Sequence, residues 1–169
     1  MIIKKTMAAI RKTRHQLYMG EGEFSHLSCS YNIPVDISEI SKFEIKYKCV
    51  VPKDYREFLL ISNGMRFEIA GELNLFSLEE VIEILNTINY KEGIYPIGFI
   101  LEDYVVIKSD EIPSGKYVYV GDCYCRDEYF SLEVDFETFL DRYFTANASN
   151  YWRWVQSSEK YCFVDLWEN

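Results

Sequence analysis

Pro52-Lys53-Asp54-Tyr55-Arg56-Glu57-Phe58-Leu59-Leu60-Ile61-Ser62-Asn63-Gly64 reads as a short helix with a start signal, an apolar face and a stop signal. Proline suits a first helical turn, where a missing N–H costs nothing. Tyr55, Phe58 and Leu59 follow the i, i+3, i+4 spacing that sets three large side chains on one face. Asn63-Gly64 is expected to end the helix, because both residues tolerate the left-handed conformation that turns the chain back. Upstream, Asp36-Ile37-Ser38-Glu39 has the form of a capping box and opens a second helix carrying Ile37, Ile40, Phe43, Ile45 and Tyr47. The two helices meet at Pro52 across the link Lys48-Cys49-Val50-Val51.

Downstream, Met65 to Ala70 and Glu72 to Phe76 read as a hairpin around Gly71. Ser77-Leu78-Glu79-Glu80 is another capping box, and Leu78, Val81, Ile82, Leu85 and Ile88 give a helical stripe to about Asn89. Tyr95-Pro96-Ile97-Gly98, Tyr104 to Lys108, Tyr117 to Val120 and Tyr129 to Val134 are apolar or aromatic runs separated by Gly, Pro, Asp or Ser. Their short spacing favours antiparallel pairing. Asp135 then caps a helix whose face is Phe136, Phe139, Leu140, Tyr143 and Phe144. Tyr151-Trp152-Arg153-Trp154 reads as an aromatic clamp on the core, and Tyr161 to Leu166 as a last strand.

Ile40, Phe43, Glu44, Tyr47, Val51-Pro52, Asp54-Tyr55, Phe58-Leu59 and Asn63-Gly64 together resemble the opening signature of the SUKH superfamily. The strand and helix over Leu73 to Ile84, Tyr95-Pro96-Ile97-Gly98, Asp103-Tyr104-Val105-Val106-Ile107 and Phe136-Glu137-Thr138-Phe139-Leu140 continue the resemblance in the right order. Where many relatives have a glycine-rich turn, this chain has Ile100-Leu101-Glu102-Asp103. The bacterial members include immunity proteins against secreted or contact-delivered toxins, and the fungal members a regulator of cell-wall glucan synthesis. The resemblance therefore implies a protein that acts by covering another protein, most concretely a cognate toxin. A housekeeping regulatory scaffold is the alternative, and a small hydrolase a third class.

Composition bounds these readings. A chain of 169 residues is one domain by default and buries roughly 70% of the surface its unfolded form exposes. Hydrophobic residues at 49% and aromatics at 17% exclude general disorder and favour a sheet with large side chains. The net charge of −9 repels a phosphate backbone, so direct nucleic-acid binding is not expected. It suits a basic partner, as a toxin acting on nucleic acid must be.

The charge is unevenly distributed. Met1 to Gly20 holds Lys4, Lys5, Arg11, Lys12 and Arg14 with no acid, so 13 of the 18 basic residues face all 27 acids in the remainder. Met7, Ile10, Leu17 and Tyr18 fit a basic amphipathic helix, either free to bind an acidic surface or docked on its own acidic domain. Gly20 to Pro34 reads as a loop joining it to the domain. Five scattered cysteines do not make a disulfide framework and fit a reducing compartment. Met1 to Ile10 has no signal-peptide core, and no segment approaches the roughly 20 apolar residues of a membrane span. A soluble, cytoplasmic protein without membrane contact is expected.

Catalytic chemistry has little sequence support. Cys123 and Cys125 would share a strand face, but zinc needs four ligands and the only histidines, His15 and His26, lie far off in the extension, so the pair is read as two small apolar side chains. The same histidines leave a nucleophile without a base in the main domain. No phosphate-binding glycine pattern occurs. Glu102-Asp103, Asp110-Glu111 and Asp127-Glu128 could in principle act as acid and base, but predicted turns fit a solvated negative surface better.

These readings define a single α+β domain with a mainly antiparallel sheet of about five or six strands and helices on one face. Residues 1–34 form a basic extension and loop, and 35–169 the SUKH-like domain. No catalytic residue, cofactor or metal is expected. Glu102, Asp103, Asp122, Asp127 and Glu128, in turns at the ends of the central strands, are the candidate contact for a basic protein partner.

Overall fold

A computed structural model describes residues 3–5, 7–8, 15–19, 23–27, 29–67, 74–88, 91–100, 103–122, 129–145 and 151–152, with 15–27 given by backbone alone. Asp36 caps the first long helix, α1 (Ile37–Tyr47), by accepting from the Ser38 N–H at 2.8 Å. The expected box is only half made, because Glu39 turns to Lys42 (2.6 Å). Ile40 and Phe43 are buried, whereas Ile37 and Ile45 are 47% and 80% exposed, off the face that the 3.6-residue period turns inward. The link to α2 (Lys53–Leu59) is gathered by Glu44, whose Oε1 accepts from Val51 N (2.8 Å) and Arg56 Nη2 (2.6 Å). Pro52 precedes α2, and Tyr55, Phe58 and Leu59 are buried as their spacing requires.

Asn63-Gly64 does not cap α2, which ends at Leu59 with Leu60 still right-handed. The pair instead joins α2 to α3 (Leu78–Thr87). Asn63 Oδ1 accepts from Leu78 N (2.7 Å) and its Nδ2 donates to Glu79 (2.8 Å). Gly64 has φ +88°, and a Cβ there would stand 2.7 Å from both Leu75 O and Ser77 N. Glycine is required by closeness to another strand as well as by its own dihedral. At the head of α3 the Ser77–Glu80 box is complete.

The main sheet has seven strands in sequential order, all antiparallel: β3 (Cys29–Tyr31), β4 (Met65–Phe67), β5 (Asn74–Leu75), β6 (Ile94–Ile100), β7 (Asp103–Lys108), β8 (Val118–Asp122) and β9 (Phe130–Ser131). The sequence reading expected five or six. One addition is β3, inside the stretch read as a loop. A separate two-stranded ribbon, β1 (His15–Met19) paired with β2 (Glu23–Leu27), corrects the expected helix through Leu17 and Tyr18. Gly20-Glu21-Gly22 separates these strands, a glycine-bearing connection of the length that favours a hairpin. Nearer the terminus, helical Ile3 and Met7 are buried in the core, and Ile3 N donates to Glu137 (2.7 Å).

Asp135 caps the last long helix, α4 (Phe136–Thr145), with its Oδ1 2.7 Å from Thr138 N. Phe136, Phe139, Leu140 and Tyr143 pack with Phe58, Tyr95, Val105, Ile107, Val118 and Val120 in one core. The helices thus cover one face of the sheet. Trp152 joins this core, 6.1 Å from the Phe139 ring. The other half of the expected clamp, Arg153 and Trp154, and the strand expected at Tyr161 to Leu166 lie outside the described residues. No helix among the described residues is long and apolar enough to cross a membrane.

Candidate functional site

The starts of α2 and α4 meet beside a 3-10 turn, Ser109–Ser114, leaving a cleft of about 400 Å³ lined by Lys53, Asp54, Glu57, Tyr117, Asp135 and Glu137. Asp54 is its hub. One carboxylate oxygen accepts from the Tyr117 hydroxyl (2.5 Å) and Tyr55 N (2.8 Å), the other from Glu137 N (2.9 Å). Burial, then the bond to Asp54, pushes the Tyr117 hydroxyl far above its ordinary range, so it stays protonated and donates. Asp135 caps α4, and Glu137 accepts from Ile3 N. Three of the four acids are thus engaged by backbone or phenol donors. They hold the two helix starts together and favour the helix dipoles. Among the described residues no group of three or more His, Cys, Asp or Glu is placed to hold a metal ion.

Of the five acids expected to form a partner contact, Asp103 and Asp122 stand opposite one another as the end pair of β7 and β8. Ile100 pairs with Asp103 where β6 and β7 meet. Glu102, Asp127 and Glu128 lie outside the described residues, as do Cys123 and Cys125. Asp110 and Glu111 fall in the 3-10 turn at the other end of the same strands. Cys49 is a free, buried thiol. Burial, and then the charge of Glu44, pushes the Cys49 thiol up to about 12 and keeps it unreactive.

The sheet face turned away from the helices was not singled out by the sequence reading. Its register sets Ser30, Arg66 and Asn74 in line across β3 to β5, a polar half suited to water. Across β6 to β8 the lines continue as Phe99 with Tyr104, and Pro96 with Val106 and Tyr119. Phe99 and Tyr104 meet edge to face at 5.3 Å, Phe76 lies 6.1 Å from Tyr104, and Lys108 Nζ sits 3.9 Å over the Tyr119 ring. Phe76, Phe99 and Tyr119 are half-buried. Burial, then the charges of Glu111, Glu133 and Asp110, raises the Tyr119 hydroxyl against a hydrogen bond with Ser131. A signal for this face was present in Tyr104-Val105-Val106-Ile107, apolar at both parities where a strand with one wet face alternates.

Comparison with known proteins agrees with this architecture. The family model described as SMI1 / KNR4 family (SUKH-1) matches residues 34–142, from just before α1 into α4. The uncharacterized protein YobM of Bacillus subtilis (strain 168) is 34% identical over 153 residues, covering 82% of this chain and 82% of that protein. The uncharacterized protein YnaB of the same strain is 29% identical over 130 residues, covering 76% of this chain and 89% of its own length. The match takes in the α1–α2 pair, the Asn63-Gly64 junction and the central strands, and the chain belongs to the SMI1 / KNR4 family (SUKH-1).

Proposed function

We propose that this chain is a non-enzymatic, protein-binding member of its family: a cytoplasmic immunity protein that neutralises a cognate toxin by direct binding. Membership of the SUKH-1 family carries the reading. Three physical features support it. The net charge of −9 favours rapid association with a basic toxin and blocks its path to phosphate. Three of the four cleft acids already accept hydrogen bonds within the fold, which suits a joint better than an acid and base waiting for substrate. The free thiol of Cys49 fits a reducing compartment. The end of β7 and β8 that carries Asp103 and Asp122, with Glu102, Asp127 and Glu128 next to them in sequence, is the acidic contact for that partner.

Copurification of the tagged chain from its own cells, followed by expression of the recovered protein with and without this chain, tests the reading. The recovered protein is expected to arrest growth alone and to be harmless when the chain is present. A partner that is not toxic, or a toxicity unaffected by the chain, would overturn it.

A further inference from the structure

We infer that the outer ridge of α1, formed by Ile37, Ser41 and Ile45, is the surface on which a second copy of this chain docks, helix against helix and antiparallel. This goes beyond the toxin-binding reading and uses a different part of the molecule. Of the six large apolar side chains exposed among the described residues, Ile33, Ile37, Ile45 and Leu60 lie on α1 or beside its start. Ile37 and Ile45 follow the i, i+4, i+8 row through Ser41, about 12 Å apart along the axis and off the side that buries Ile40 and Phe43. The exposed Ser41 hydroxyl donates back to Ile37 O (3.1 Å), so covering the ridge leaves no hydroxyl proton unsatisfied. Val35 N donates to Leu59 O (3.1 Å), which brings Leu60 to the Ile37 end of the ridge and widens its apolar surface there.

Symmetry and charge select the occupant. The ridge reads Ile-Ser-Ile at equal spacing in either direction, as a two-fold contact requires, where residue i of one copy meets j of the other and j meets i. With Ser41 on the axis, Ile37 of each copy faces Ile45 of the other, and the small serines let the two helices approach closely. Asp36, Glu39 and Glu44 are matched by Lys42, Lys46 and Lys48, so α1 with its caps is neutral in a chain of net charge −9 and gives a basic partner no acidic excess to read. Those charges are also ordered along the axis. Asp36 and Glu39 stand at the start and Lys46 and Lys48 at the end, so an antiparallel copy sets acids beside lysines and opposes the helix dipoles, whereas a parallel copy sets like beside like.

Sedimentation equilibrium of the full chain from about 10 μM to about 1 mM is expected to show monomer and dimer in exchange. Ile45→Glu should weaken the dimer at least about tenfold, because the new carboxylate would be covered without a partner. Phe130→Glu, at an exposed apolar site on β9, should leave it unchanged. A chain that stays monomeric over the whole range would overturn the inference, as would a dimer that ignores Ile45→Glu. Orientation is read by disulfide cross-linking with copper-phenanthroline, against the unsubstituted chain as background. Ser41→Cys is expected to link to its own copy across the axis, and Ile37→Cys to link with Ile45→Cys when the two variants are mixed. Ile45→Cys linking to itself as fast as to Ile37→Cys would mean a parallel contact and overturn the proposed register. Should Ile45→Glu lose its urea transition, the Ser41→Cys link decides: a yield no higher than background overturns the inference.

Discussion

On the helix-covered side of the sheet, Tyr95, Val105, Ile107 and Val118 are closed to solvent beneath Phe58 and Phe136, while on the other side Phe99 and Tyr119, from the same three strands, keep part of their rings accessible. The residue types on the two sides are alike. What differs is the covering layer. On one side four helices interdigitate with the strands, so each ring contacts atoms on all sides and removing one leaves a void. On the other, among the described residues, the rings lean on one another and on a lysine stem. Large apolar side chains are fully enclosed on the first side, whereas Phe99 and Tyr119 on the second are half-buried.

The largest expected effect tests the covered side. Phe58 has no exposed surface and lies 5.3 Å from Phe136 and 6.1 Å from Tyr55, ring to ring. Phe58→Ala should cost about 3 to 5 kcal/mol in urea unfolding. A loss below about 1 kcal/mol would mean that this ring has no packed environment to lose, and the contrast between the faces would disappear.

The next effect tests how the covering layer is joined to the sheet. Gly64→Ala must accept both a positive φ and a Cβ within 2.7 Å of two backbone atoms. A cost of about 2 to 4 kcal/mol is expected, with Asn63 losing its hold on the start of α3. Gly115, also at positive φ but with nothing near its Cβ, supplies the control: Gly115→Ala should cost only about 1 kcal/mol.

The smallest effect separates two buried tyrosines beneath the same helices. Tyr117 donates to Asp54, whereas the Tyr55 hydroxyl is buried with no hydrogen-bond partner. Tyr117→Phe should cost about 1 to 2 kcal/mol and Tyr55→Phe close to nothing. Equal losses in the two variants, measured at one pH well below the tyrosine range, would show that Asp54 is not the hub of the cleft.

Much of this was legible in the sequence because the forces involved act over a few residues. The spacing of Tyr55, Phe58 and Leu59 fixed which side of α2 would be buried, and Ser77-Leu78-Glu79-Glu80 specified a helix start by hydrogen bonds that close within one turn. Asp135 was likewise readable as a cap. The ribbon over residues 15–27 was missed because five basic residues and scattered apolar ones imitate a basic helix, and strand pairing between β1 and β2 overrode that pattern.

By itself, then, the sequence determined the α+β class, the antiparallel pairing of short strands and the apolar faces of the helices, which follow from local periodicity and turn chemistry, while the family was carried by the resemblance of its motifs to known relatives. Only the tertiary structure decided what Asn63-Gly64 and Asp54 do. Asn63 holds a helix start 15 residues away and Asp54 one 83 residues away, and no local propensity encodes which distant N–H a carboxylate or amide will meet. It also decided which aromatic residues of β6 to β8 are buried under helices and which are only half-buried. A strand alternates its side chains by geometry alone, but the side on which the helices close is set by the packing of the whole chain.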